Sequence, residues 1–170
     1  MTEKKRSKPE HMTHLSGGRL VRKSHGRIAF RGMIDSLEAE ILEAQCLAAG
    51  LGAGRYCAFL GETLDVLRTI LAAEVRETPL PSFSLFGFSL EELRRQSHNT
   101  ESAFGFSHPV PVYGMGPLAV RLNTLRAKIR EGELLAVRVL RGRKDVITAM
   151  NRLSSAMYWL FCNSVKDSRA

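Results

Sequence analysis

The chain has 170 residues, 44% of them apolar, and a formal net charge of +8. That suits one domain with a real hydrophobic core. No apolar run approaches the ~18 residues that cross a bilayer. The basic N-terminus lacks the apolar segment of a secretory signal. Cys46, Cys57 and Cys162 are widely spaced and form no CxxC pair. This argues against a disulfide framework or a zinc site and for a reducing, cytoplasmic setting.

Charge is concentrated at the start. Residues 1–27 hold eight Lys or Arg against Glu3 and Glu10, so the remaining chain is nearly neutral. This basic arm is expected to be partly flexible and to want an anion. Within it, Thr13-His14-Leu15-Ser16-Gly17-Gly18-Arg19 could offer backbone N–H groups to a polyphosphate, with Lys23 adding charge. A solvated tail is the other reading of the same residues.

The rest, 28–170, reads as a helical domain. Over 28–49 the apolar face is Ile34, Leu37, Ile41, Ala44 and Ala48. Arg31 and Asp35 lie beside it at a spacing that allows a pair along the helix. Glycines at 50, 52 and 54 turn the chain into a second helix over 55–77. Its inward residues are Leu60, Leu64, Leu67, Ile70 and Leu71, and Thr78-Pro79-Leu80-Pro81 ends it. In 82–107, Ser89 followed by Glu92 predicts a capped short helix near 90–98. Phe83, Phe86, Phe88, Phe104 and Phe106 in this connection either cap the bundle or line a pocket for a large flat ligand.

Proline and glycine between 109 and 117 exclude regular structure there, and Pro117 suits the first position of a helix. The helix predicted over 117–140 has a narrow seam of Leu118, Leu122, Leu125, Ile129, Gly132, Ala136 and Val139. Ala119, Asn123, Arg126, Arg130 and Glu133 flank that seam. They are either partly buried or an ordinary solvated face. The last helix, about 144–165, uses Val146, Met150, Leu153, Met157 and Leu160, with Asn151, Ser155 and Tyr158 along one edge. No strand pattern and no internal repeat are visible. The expected fold is all-α, an antiparallel bundle of four or five helices behind a basic arm.

Three pieces occur in order: THL at 13–15 with RLVRKSHGRIAFRGMIDS at 19–36, LNTLRAKIREGE at 122–133, and NRLSSAMY at 151–158. Together they resemble the ethanolamine-utilisation cobalamin adenosyltransferases. More distantly they are similar to the propanediol-utilisation type of ATP:cob(I)alamin adenosyltransferase. The resemblance covers the chain from about residue 9.

It implies a helical bundle that assembles as a homo-oligomer, trimer or dimer, with active sites between subunits. ATP, with Mg2+, would lay its triphosphate against the N-terminal loop, and cobalamin would bind beside it. Reduced cobalt would attack the 5′ carbon to give adenosylcobalamin. A cob(II)alamin reductase and a recipient such as ethanolamine ammonia-lyase are the implied protein partners, near a bacterial microcompartment. Neither membrane nor nucleic acid is expected.

Carried over by the resemblance, Lys23 meets the phosphates, Asp35 pairs with Arg130 of a neighbouring subunit, and Glu133 belongs to the same arginine motif. Asn151 contacts the nucleotide, with Lys8, Thr13, Ser16 and Arg126 in the same ATP set. Phe106 lies beside the corrin, with Phe104, His108 and Tyr113 grouped around it.

Two departures stand out. Residues 8–13 read KPEHMT where the propanediol type has a glycine-rich phosphate loop, and Leu134 replaces a motif arginine. Ethanolamine-type members can also carry an upstream His/Cys metal cluster, and no such cluster is expected in this chain. An alternative from another class is a non-enzymatic helical module whose basic arm binds nucleic acid or a microcompartment partner.

Overall fold

The computed structural model describes residues 8–169. Four long helices make the body: α1 (Gly26–Gly50), α2 (Gly54–Arg76), α5 (Pro117–Val139) and α6 (Lys144–Asp167). Two short ones, α3 (Leu90–His98) and α4 (Thr100–Phe104), lie in the central connection. The expected seams are the ones that bury. Ile34, Ile41, Leu60, Leu67, Ile70, Leu122, Leu125, Ile129, Met150, Leu153 and Leu160 have no exposed surface. Each long helix therefore puts one apolar stripe into a shared core.

Local chemistry sets the boundaries. His25 caps α1 by accepting the Arg27 N–H at 3.2 Å, so the helix begins two residues earlier than expected. Ser89 and Glu92 form the predicted capping box, and Pro117 opens α5. Gly132 sits where α5 approaches its neighbours. A Cβ there would lie 2.8 Å from Met150 Cε and 3.3 Å from Met33 Cγ.

The arm differs from expectation. It contains an antiparallel hairpin, β1 (Met12–His14) against β2 (Leu20–Arg22), closed by a 3-10 turn at Ser16–Gly18. Gly17 and Gly18 take positive φ in that turn, and Leu15 is buried at 4% exposure. Strands of three residues are too short to show an alternating pattern, which is why the sequence reading found none. Residues 1–7 of the arm lie outside the described residues.

A second correction concerns Arg31. It does not pair with Asp35. Its Nε donates to Glu74 Oε2 at 2.5 Å, across the α1–α2 contact. Glu74 is fully buried and also receives Arg27 Nε, while Arg27 Nη1 reaches Glu77 and Arg27 Nη2 the Glu74 carbonyl. Two guanidiniums thus clamp one buried carboxylate between helices.

The phenylalanine-rich connection mostly covers the bundle. Phe59, Phe86, Phe88 and Phe104 surround Trp159 of α6 at centroid distances of 5.8, 5.6, 5.3 and 6.3 Å. The buried indole N–H is satisfied by Gln96 Oε1 at 2.7 Å. No helix among the described residues is long and apolar enough to cross a membrane.

Where α2 ends and α6 begins, Arg143 reaches the Ala73 and Thr78 carbonyls, and Asp145 accepts from Arg143 and from the Leu80 N–H at 2.9 Å. The Arg143 guanidinium holds the Asp145 carboxyl well below the usual carboxylate range, and burial opposes it. A depressed folded pKa gives stability that is complete above the unfolded value, about 3.9, and is lost as pH falls through and below it. Asp145→Asn is therefore expected to flatten the fall of Tm between about pH 5 and pH 2. Thermal melts over that range check this; parallel curves for both proteins would remove Asp145 as a source of acid sensitivity.

Candidate functional site

The 3.6-residue period of α5 places Arg126, Arg130 and Glu133 along one edge. The same period on α6 aligns Asn151, Ser155 and Tyr158. These edges face each other, and α3 closes the far side with Arg94, Ser97 and His98. Between the three helices lies a cleft of about 670 Å³, also lined by Arg152 and Ser154. Its size is that of a small-molecule site.

A polar network runs across the α5–α6 contact. Arg130 Nη1 donates to Glu133 Oε2 at 2.6 Å, and Asn151 Nδ2 to Glu133 Oε1 at 3.0 Å. Arg152 Nη1 donates to Asn151 Oδ1 at 2.7 Å. A carboxylate can only accept and a guanidinium only donate, so the Asn151 amide has one possible orientation. Glu133 is 7% exposed. Its two oxygens hold Arg130 and Asn151 in place.

The charge balance of the cleft is uneven. Arg130 has Glu133, and Arg94 has Glu91 at 3.3 Å. Arg126 and Arg152, among the described residues, bond only amide oxygens of Asn123 and Asn151. Two guanidiniums without a carboxylate, on facing helices, form a region of unbalanced positive potential that an anion would relieve.

One end of the cleft meets the aromatic connection. The Tyr158 hydroxyl lies 2.6 Å from His108 Nδ1. Burial pushes the Tyr158 phenol up, so it remains an O–H donor. Burial also pushes the neighbouring Cys162 up to about 11, so it remains a thiol. Phe106 stacks on Phe104 at 5.9 Å, and the Arg169 guanidinium covers it at 4.8 Å.

The residues expected from sequence divide into groups. Arg126, Arg130, Glu133 and Asn151 converge. His108 reaches Tyr158, while Phe104, buried at 6% exposure, packs on Trp159 and stacks with Phe106. Tyr113 is 96% exposed and stands apart. None of Lys8, Thr13, Ser16 or Lys23 lines the cleft; Lys23 lies 4.0 Å from Glu10. Asp35 is exposed on α1 and has no ion-pair partner among the described residues. The sequence reading missed Arg152, Arg94, His98 and the role of Tyr158. Arg152 adjoins Asn151 in a quoted motif, whereas nothing local marks α3 as a wall.

A second cleft, about 540 Å³, lies at the far end of the bundle by Tyr56 and Asp167. No expected site residue lines it, and the Arg55–Asp167 pair at 2.9 Å already balances its charge.

A family model described as cobalamin adenosyltransferase matches residues 4–164. The chain is 34% identical over 164 residues to corrinoid adenosyltransferases named EutT from Salmonella typhimurium and Escherichia coli. That match takes in 93% of this chain and 60% of theirs, so the chain spans about three fifths of the length of these curated relatives. The fold resembles two variants of a PduO-type ATP:corrinoid adenosyltransferase from Lactobacillus reuteri, each solved with cobalamin and ATP. TM-scores are 0.67 and 0.66 at 20% identity, covering 94% of this chain and 89% and 87% of those.

Proposed function

This chain belongs to the cobalamin adenosyltransferase family, and from that premise we propose that it transfers the 5′-deoxyadenosyl group of ATP to the reduced cobalt of a corrinoid. The observation that carries the reading is the cleft in which Arg126 and Arg152 have no carboxylate partner among the described residues, beside an aromatic connection able to meet a flat ligand.

Cobalt supplies both electrons of the new Co–C bond. The C5′–O bond breaks, and its electron pair leaves with the triphosphate. No proton has to move in that step, so no general base is required. The protein's contribution is alignment of the two substrates and stabilisation of the charge that grows on the leaving group. Arg126 and Arg152, with Arg130 oriented by Glu133, suit that second task. Magnesium would arrive on the triphosphate, whose oxygens suit that hard cation.

The site is completed by a second copy in this reading. The resemblance assigns Lys23 to the phosphates and Asp35 to Arg130 of a neighbouring subunit, yet neither lines the cleft of its own chain. A homo-oligomer that sets the arm and Asp35 of one copy against Arg126 and Arg130 of another would unite them. The ethanolamine-utilisation type is favoured by the three motifs and by the 34% identity to relatives of that name. An ethanolamine ammonia-lyase would then receive the product.

The test is anaerobic incubation of the protein with ATP, magnesium and chemically reduced cobalamin. Appearance of the adenosylcobalamin spectrum, absent when ATP is omitted, is the expected result. Binding of both substrates without any spectral conversion would count against transfer.

A further inference from the structure

We propose that Tyr158 is a positioning residue that latches the 105–116 connection onto α6 through His108, and so sets how that connection opens beside the anion cleft. The connection is bounded by Gly105 and Gly116, at φ 79 and 89, conformations in which glycine allows a hinge. Its internal backbone bonds, Met115 N–H to Val112 and Gly116 N–H to Tyr113, hold only its own last turn. Among the described residues, one side-chain hydrogen bond ties the connection to the helices: Tyr158 Oη to His108 Nδ1, at 2.6 Å. The two rings lie 5.7 Å apart and tilted by 31°.

A phenol that stays protonated can give its hydrogen to Nδ1, and the Tyr158 phenol is held in that form by burial. At its ends Phe106 packs on Phe104 under the Arg169 guanidinium and Met115 packs on the core, while between them Val110 and Val112 are 77% and 54% exposed. Tyr158 also lines the cleft, with Arg126 and Ser155. A ligand that takes the Tyr158 hydroxyl, or shifts its ring, therefore frees His108. The connection between Gly105 and Gly116 can then move away from α6. That the ligand is a corrinoid rests on the proposed function above; the latch itself does not.

Limited chymotrypsin digestion of the full chain tests the latch, reading cleavage at Phe106 and Tyr113. Tyr158→Phe and His108→Ala are each expected to speed nicking about fivefold, the factor for one net hydrogen bond. His108→Asn places an amide oxygen near the former Nδ1 position and is expected to keep most of the protection. Wild-type nicking rates in Tyr158→Phe, or equal rates in His108→Asn and His108→Ala, would overturn the latch. The adenosylcobalamin assay run in parallel separates the two readings. Faster nicking in variants of a protein whose wild type makes no adenosylcobalamin supports the latch and counts against the transferase reading. Loss of transfer with unaltered nicking overturns the latch and leaves the transferase reading in place.

Discussion

Glu74→Ala is expected to destabilise the fold by about 3–5 kcal/mol, since it leaves buried cations without their counterion. For a chain of this size that corresponds to a loss of roughly 6–20 °C in Tm. The reason is geometric. Glu74 has no exposed surface, and Arg27 and Arg31, whose side chains are 16% exposed, both spend their Nε–H on its two oxygens. Removing the carboxylate strands both guanidiniums, and Arg31 Nη2 already has no hydrogen-bond partner. Glu131→Ala, an exposed carboxylate on α5 that belongs to neither the clamp nor the cleft, is the control and should leave Tm unchanged. Replacing Arg27, Arg31 and Glu74 together by apolar residues of similar volume should recover much of the loss, because the penalty comes from unpaired charge. Equal melting of Glu74→Ala and wild type would show that the clamp contributes nothing net.

Arg126→Ala and Arg152→Ala are each expected to weaken ATP binding by about 10- to 150-fold, equivalent to losing a charged hydrogen bond of ~1.5–3 kcal/mol. The loss should shrink as salt is raised, since the rim of the cleft is open to solvent. Arg94→Ala should cost less, because Glu91 already balances that guanidinium. The same variants test whether two copies share one site. If Lys23 and Asp35 act on the cleft of a neighbour, mixing Lys23→Ala with Arg126→Ala protein should restore part of the adenosyl transfer that each lacks alone. In such mixed oligomers some sites combine an intact arm with an intact cleft. Unchanged ATP affinity in both arginine variants would remove the cleft from nucleotide binding. Failure to complement, with each single variant inactive, would confine the site to one chain.

Helix placement was legible because its causes are local. Ser89 with Glu92, Pro117 at the start of α5 and the glycine turn after Gly50 act within one or two turns of chain. The burial of Ile34, Leu122, Ile129 and Leu160 follows from spacing alone. Part of the site shares this property. Arg126, Arg130 and Glu133 share an edge of α5, and Asn151 and Tyr158 an edge of α6, by helical period. Three motifs in one order were enough to indicate the family.

What spacing could not supply was the identity of partners distant in sequence. Arg31 and Asp35 looked like a pair, but Glu74, 43 residues away, is buried and draws both Arg27 and Arg31. Desolvation decides that contest. A carboxylate shut off from water needs its guanidiniums, while Asp35 has water. The hairpin in the arm was equally hidden, because each strand has three residues and the pairing is a property of both strands together. Sequence by itself determined the four-helix scaffold, the basic arm and the residues along the α5 and α6 edges. Only the tertiary structure decided that α3 brings Arg94 and His98 to those edges, that Arg152 faces Arg126 without a carboxylate, and that His108 reaches Tyr158. Those contacts join helix faces and a loop through space, and their strength depends on burial and charge that exist only once the helices have packed.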